Sequence, residues 1–175
     1  MSKEHSITAY RNGEFSWIRC DGKGSFQNSP TLKEWAEGEI ESGATNIVID
    51  LQGCTGMDST FMGTMAGLAM RLMKLPGGQL QVAEPGERNK QSLEDLGLDA
   101  LMAIDPDDCV WGDRIEEIRK QLKPCDADTD KIDKAPHVLE AHKKLVEADE
   151  KNTEKFATVL DFLEAELEAK RSVGK

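Results

Sequence analysis

The segment that most constrains the fold of this chain is residues 46–51, with the sequence NIVIDL. Consecutive β-branched residues are typical of a central strand that is buried on both faces of a sheet. Residues 52–57 predict a turn, and Asp58 follows as a residue able to cap a helix by accepting a backbone N–H. A buried strand that leads through a turn into a helix predicts an α/β fold, with helices packed against a sheet.

The chain opens with a predicted β-hairpin. Residues 7–11 and 15–20 are rich in strand-forming residues, and Asn12-Gly13 lies between them. An Asn-Gly pair in this position favours a type I′ turn, in which both central residues have positive φ. Strands and helices that alternate after an opening hairpin predict a mixed sheet rather than a purely parallel one.

The remaining elements up to residue 124 are predicted from caps, breakers and apolar periodicity. Ser29-Pro30 is a typical helix start, and Gly43 can close that helix in the left-handed conformation. Further elements are a helix from about Asp58 to Pro76, a strand around Leu80 and Val82, a helix from Pro85-Gly86 to about Leu96, a short strand over residues 100–104 and a fourth helix with Ile115, Ile118 and Leu122 on one face.

Composition changes after this region, so we predict three segments: a domain over residues 1–124, a charged linker over 125–136 and a helical extension over 137–172. Residues 137–171 contain neither glycine nor proline and predict one long helix of about 50 Å. Its heptad-like positions are Leu139, Val146, Phe156, Leu160, Leu163 and Leu167, with Asp149 and Thr153 interrupting the seam. The sequence leaves open whether this helix self-associates as a homodimer or docks on the chain's own domain.

Charge, hydropathy and cysteine pattern together exclude several classes of function and indicate where the protein acts. With 33 acidic and 22 basic residues the net charge is −11, which disfavours binding to nucleic acid or anionic membranes. There is no apolar run of the roughly 20 residues that span a bilayer, and the N-terminus lacks the apolar core of a signal peptide. The four cysteines, Cys20, Cys54, Cys109 and Cys125, are scattered and form no C-x-x-C pair. We therefore expect a cytoplasmic protein.

No pattern in the sequence predicts catalysis, a metal site or a cofactor. His137 and His142 are five residues apart, so a helix turns them to different faces, and no third ligand completes a metal set. Gly22-Lys23-Gly24-Ser25 lacks the spacing of a phosphate-binding loop, although it can form part of a partner-facing loop. No nucleophile–base pair is evident, so we expect the protein not to be an enzyme.

The triplet Asp58-Ser59-Thr60 is the most informative motif. From the residues alone, Asp58 or Ser59 caps the following helix. The buried strand, the sequence Met57-Asp58-Ser59-Thr60 and the glycines Gly63 and Gly67 together resemble the STAS domain of bacterial anti-sigma factor antagonists. The resemblance covers approximately residues 5–123 and implies a mixed sheet packed with about four helices.

The resemblance also implies a phosphorylation switch. It points to Ser59 as the residue phosphorylated by a partner serine kinase, which is itself the anti-sigma factor, with Thr60 as the alternative. The unphosphorylated form binds the kinase, and a phosphatase restores it. Asp58, Met57, Phe61, Met62, Ser25 and Asn28 are the predicted partner-binding residues. The competing hypothesis is a scaffold that is not phosphorylated and self-associates through the C-terminal helix.

Two details carry expectations of their own. Phe61 stands where the family usually has a small residue, so it either enlarges a partner-binding patch or obstructs kinase docking. Met57, Met62, Met65, Met70 and Met73 form a cluster, most of which we expect to face the core. Gly63 and Gly67 are expected to allow close approach of the helix to the sheet.

Overall fold

A seven-stranded mixed sheet forms the centre of the fold. The computed structural model describes residues 6–125 and 134–173. Its strands are β1 (Ser6–Arg11), β2 (Ser16–Gly24), β3 (Asn46–Asp50), β4 (Cys54–Met57), β5 (Gln79–Ala83), β6 (Ala103–Ile104) and β7 (Lys123–Pro124). They run in the order β6-β5-β3-β2-β1-β7, and β4 pairs with the end of β2. The predicted central strand β3 lies between β2 and β5, parallel to both.

The opening hairpin is confirmed, but its turn differs from the prediction. β1 and β2 are antiparallel, with Tyr10 opposite Trp17, and residues 12–15 connect them. The Asn12 side chain accepts hydrogen bonds from the backbone N–H groups of Glu14 and Phe15, at 2.7 and 3.0 Å. Neither Asn12 nor Gly13 has a positive φ, so the type I′ prediction was wrong. The Asn12 side chain supplies the turn by bonding forward to the backbone.

The helices are α1 (Ser29–Glu41), α2 (Ser59–Met73), α3 (Gly86–Asp95), α4 (Ile115–Lys120), α5 (Lys134–Ala148) and α6 (Asn152–Val173), with a 3₁₀ turn over Leu98–Ala100. The first helix begins one residue earlier than expected, with Asn28 at the N-cap. Strand β4 lies where the sequence predicted only a turn. None of the helices in the described residues contains an apolar stretch that could span a bilayer.

Two apolar clusters sandwich the sheet. One face carries Ile18, Ile47, Ile49, Leu80 and Val82, which pack against α1, α2 and α3. The other carries Phe15, Trp17 and Val48, covered by Trp111 and by Ile118 of α4. The alternation follows the two-residue period of a strand. Both faces are thus buried, as the β-branched run in β3 requires.

A buried carboxylate fixes α4 to the second face. Asp50, at the end of β3, is fully buried and accepts hydrogen bonds from the Arg19 and Arg119 side chains at 3.0 Å each. The Trp17 indole N–H donates to the same carboxylate at 3.3 Å. Arg119 also reaches the half-exposed Glu84 at 2.7 Å. The network links β2, β3 and α4 through one charged centre.

The C-terminal segment forms a helical hairpin, which we call the α5–α6 hairpin, rather than one uninterrupted helix. It does contain a long helix, α6, but α5 precedes it and ends at Ala148. The buried Asn152 side chain donates to the carbonyl oxygens of Leu96 and Leu145, at 2.9 and 2.7 Å. These bonds fold the chain back and attach the turn to the end of α3. Most of the predicted linker lies outside the described residues, and its last part, residues 134–136, is helical.

Candidate functional site

Ser59 lies at the junction between β4 and α2. The Asp58 carboxylate caps α2 by accepting the backbone N–H of Phe61 at 2.8 Å, and its second oxygen accepts the N–H of Phe26 at 2.9 Å. The cap is therefore Asp58, and Ser59 is the first residue of the helix. Of the two capping candidates in the sequence, the structure selects Asp58 and leaves the Ser59 hydroxyl for another contact.

That contact is with a histidine of α5. The Ser59 hydroxyl lies 2.7 Å from Nε2 of His142. Nδ1 of the same ring lies 2.7 Å from the backbone carbonyl oxygen of Val138. Since a carbonyl only accepts, Nδ1 carries the proton in the neutral ring, and Ser59 donates its hydrogen to Nε2. The sequence did not reveal this hydroxyl–imidazole pair, because 83 residues separate its members.

His137 makes a second contact of the same kind. Its Nε2 lies 2.7 Å from the Ser29 hydroxyl at the start of α1, and 3.5 Å from the Thr64 hydroxyl on α2. Both histidines are buried, so they face the domain together although they reach different helices. The sequence predicted that a helix turns them to different faces; both lie against the domain, His137 at Ser29 and Thr64 and His142 at Ser59. Their positions follow from the docking of α5, for which the sequence carries no local signal.

Burial makes His137 sensitive to pH. The pKa of His137 is lowered from its ordinary 6.5 to about 4, first by desolvation and then by the charge of Lys33, whereas Glu140 and Asp58 oppose the shift. Between these two values the unfolded chain binds more protons than the folded chain. The free energy of unfolding therefore falls as the pH drops through this window and is fully retained above it.

Acidification from about pH 7.5 to about pH 5 is expected to lower the free energy of unfolding of the wild-type chain. The loss exceeds that of His137→Gln by about 2 kcal/mol, since glutamine does not titrate. Urea unfolding of both proteins at the two pH values measures this difference. Parallel losses in the two proteins would contradict the assignment of this pH dependence to His137.

The two glycines of α2 face α5 and not the sheet. A Cβ atom added to Gly63 would clash with the backbone carbonyl of Ala141. A Cβ added to Gly67 would lie 3.3 Å from the side chain of Lys144. The expected close approach exists, but the element that approaches is α5 of the C-terminal hairpin. Small residues one turn apart let two helix backbones come near each other.

The predicted partner-binding residues differ in exposure. Phe61 is fully buried with its ring against Gly24, whose missing side chain leaves it room, so the structure removes it from the partner-facing set. It neither enlarges a surface patch nor obstructs one. Met62 is 8% exposed, whereas Met57 and Asp58 are half-buried. Within the methionine cluster, Met62 and Met65 are buried and Met73 is exposed.

Ser25 and Asn28 hold the loop before α1. The Asn28 side chain accepts the backbone N–H of Ser25 at 2.8 Å and donates to the carbonyl of Lys23 at 3.0 Å. Both residues are buried. Phe26, between them, is the exposed apolar residue of this loop, and its backbone is tied to Asp58. The loop therefore lies beside Ser59, although the two predicted residues serve its internal structure.

Strand pairing also brings two of the scattered cysteines together. Within the described residues, none of the four forms a disulfide. Hydrogen bonding between the Cys20 and Cys54 thiols lowers the pKa of Cys54 and raises the pKa of Cys20. Both side chains are buried in the main core.

Comparisons with known proteins support the fold described above. The STAS domain family model matches residues 6–108. The crystal structure of a putative anti-sigma factor antagonist from Thermotoga maritima is 20% identical, with a TM-score of 0.53, and the match covers 63% of this chain and 92% of that one. An anti-sigma factor antagonist from Mycobacterium paratuberculosis is 17% identical with a TM-score of 0.53, covering 68% of this chain and 97% of that one.

The anti-sigma factor antagonist SpoIIAA in its unphosphorylated form is 20% identical with a TM-score of 0.52, covering 66% of this chain and 97% of that one. At these identities the likeness concerns the fold. No curated protein matches the sequence.

Proposed function

Because this chain belongs to the STAS domain family, we propose that it is a regulatory binding protein of the anti-sigma factor antagonist type. In its unphosphorylated form it binds a serine kinase that is itself an anti-sigma factor, in the cytoplasm. The kinase transfers the terminal phosphoryl group of a nucleoside triphosphate to Oγ of Ser59. The hydroxyl proton and the nucleoside diphosphate leave, the complex dissociates, and a phosphatase hydrolyses the phosphate ester.

The observation that carries this proposal is the position of Ser59 directly after the Asp58 cap, at the start of α2. A helix N-terminus has free N–H donors and partial positive charge, so the fold tolerates a phosphate there. The same added charge, about −1.5 to −2, opposes a partner interface through desolvation and repulsion. Thr60 is 4% exposed, whereas Ser59 is half-buried, which favours Ser59 as the acceptor.

We expect Ser59→Ala to fold, to lose about 1 kcal/mol of stability with the His142 hydrogen bond, and to keep its kinase partner bound. Ser59→Asp is expected to fold as well and to bind that partner more weakly. The measurement is capture of partners from native cells on each variant. A captured kinase must also transfer phosphate from ATP to the wild-type chain and not to Ser59→Ala.

Thr60→Val is the matched control, since it removes the neighbouring hydroxyl and keeps the shape of the buried side chain. It is expected to accept phosphate like the wild type. A kinase that phosphorylates Ser59→Ala but not Thr60→Val would assign the switch to Thr60 and would reject Ser59.

Self-association through the C-terminal segment is the alternative function. The seam predicted for it is mostly used within the chain, since Leu139, Phe156 and Leu163 are buried. Val159 and Phe162 on α6 remain exposed, at 39% and 67%. We expect the full chain to sediment as a monomer. A concentration-dependent dimer that Phe162→Glu abolishes would favour the scaffold instead.

A further inference from the structure

We infer that the α5–α6 hairpin is an intramolecular cover over the Ser59 surface, and that this surface receives a helix of the partner only after α5 has left it. We define the Ser59 surface as the stripe of α2 formed by Ser59, Gly63 and Gly67. The inference rests on the proposed function for the identity of the partner. The docking of α5 itself is a property of this chain and is measured without any partner.

The stripe has the shape of a helix-binding groove. Its three residues are four apart, so they lie on one face of α2. Each meets a residue of α5: Ser59 bonds to His142, Gly63 lies against the backbone of Ala141, and Gly67 lies against the stem of Lys144. The two glycines leave a channel that a helix backbone enters, with a hydroxyl at one end. An amphipathic helix in an apolar groove is a common recognition mode.

The same contacts oppose a modified Ser59 beneath a docked α5. At 2.7 Å from Oγ, Nε2 of His142 occupies the space that a phosphoryl group on Oγ requires. His142 packs edge-to-face on Phe156 of α6 and bonds to Val138, so the ring is held in place from behind. A phosphoryl group on the line from Oγ to Nε2 overlaps the ring, so phosphorylation of Ser59 opposes docking of α5.

The hairpin is an addition to the domain. The related structures correspond to 66% and 68% of this chain while covering 97% of their own length, and the family match ends at residue 108. The fold is thus built without a hairpin of this kind. In this chain the hairpin contributes the buried side chains of Leu145 and Phe156 to the main core, with Val146, Ala148 and Leu160 packed at its edge. A cover of this kind opens while the sheet stays folded.

The groove also specifies the partner element. Because Gly63 has room for no more than a small side chain opposite it, the partner presents a helix with alanine, glycine or serine at the matching position. Such a helix competes directly with α5 for the stripe. The bound partner and the docked hairpin are two alternative occupants, so the affinity measured for the partner is reduced by the fraction of chains that are covered.

Amide hydrogen exchange on the full chain tests the cover directly. We expect the amides of α5 to exchange at least about 100-fold faster than those of β3, through an opening that leaves the sheet intact. Equal amide exchange rates in α5 and β3 would show that the hairpin is an integral part of the fold and would overturn the inference. This measurement needs no kinase, so a negative exchange result would not affect the phosphorylation test of Ser59. A negative phosphorylation test would likewise not affect the exchange result.

A pair of variants sharpens the test. Ala141→Leu overpacks the contact with Gly63 and destabilises the docked state, so it is expected to speed exchange of α5, and of β3 through global unfolding, about 10- to 100-fold. Ala157→Leu makes the same change at an exposed position of α6 and is expected to alter neither. Exchange of α5 that Ala141→Leu does not accelerate overturns the cover.

In native cells, Ala141→Leu is expected to carry more phosphate on Ser59 than Ala157→Leu. If the two variants carry the same phosphate although α5 opens separately, α5 does not gate access and that part of the inference is overturned.

Discussion

Replacing Asp50 with alanine is expected to lower the free energy of unfolding by about 3–5 kcal/mol. The substitution leaves the guanidinium groups of Arg19 and Arg119 without their shared buried counter-charge. Their side chains are only 16% and 11% exposed, so water compensates little of the loss. Urea unfolding of the full chain measures the effect, with the slope of the transition showing whether the folded state stays compact.

Glu84→Ala is the control for this prediction. Glu84 binds the same Arg119, but its side chain is 45% exposed. A surface pair contributes about 0–1 kcal/mol, so this variant is expected to unfold nearly like the wild type. A loss below about 1 kcal/mol for Asp50→Ala would show that the buried network is not what holds α4 on the sheet.

The second large effect is expected at Gly63. Gly63→Ala directs a Cβ atom at the backbone of Ala141, which no side-chain rotation relieves. We expect a loss of about 1–3 kcal/mol, as for other overpacked contacts, although alanine favours a helix over glycine by about 1 kcal/mol. Chemical denaturation of the full chain, followed by far-UV circular dichroism, measures it.

Gly67→Ala is the matched control, on the same helix and facing the same neighbour. Its added Cβ meets only the flexible side chain of Lys144, at 3.3 Å. Here we expect a change between about zero and a gain of about 1 kcal/mol from helix propensity. If Gly63→Ala stabilises the chain as much as Gly67→Ala does, α5 does not pack on α2 in the way described.

Local signals account for what the sequence predicted well. The β-branched run gives β3, the Asp58 cap gives the start of α2, and Gly43, with a φ of +107°, ends α1 as expected. Strand β4 was missed because four residues with one glycine, CTGM, have little strand character by themselves. It forms because β2 extends beyond its pairing with β3 and pairs with β4 at Gly22–Gly24.

Tertiary contacts account for what the sequence did not reveal. The break between α5 and α6 has no glycine or proline. It is stabilised by Asn152, whose hydrogen bonds to the carbonyls of Leu96 and Leu145 form only in the folded structure and cannot be predicted from the local sequence. Ser59 was found from its motif, whereas His142 is remote in sequence and is placed by helix docking. Gly63 was recognised as a close-contact position, but its neighbour depends on where the hairpin folds.

The phosphorylation state of Ser59 in native cells tests the central claim most directly. Intact-mass analysis of the purified chain, followed by mapping of the peptide that contains Asp58-Ser59-Thr60, resolves which hydroxyl carries the phosphate. We expect a recurrent species with one phosphate, located on Ser59, that disappears in Ser59→Ala and persists in Thr60→Val. Phosphate found only on Thr60, or none after incubation with the captured kinase and ATP, would contradict the account.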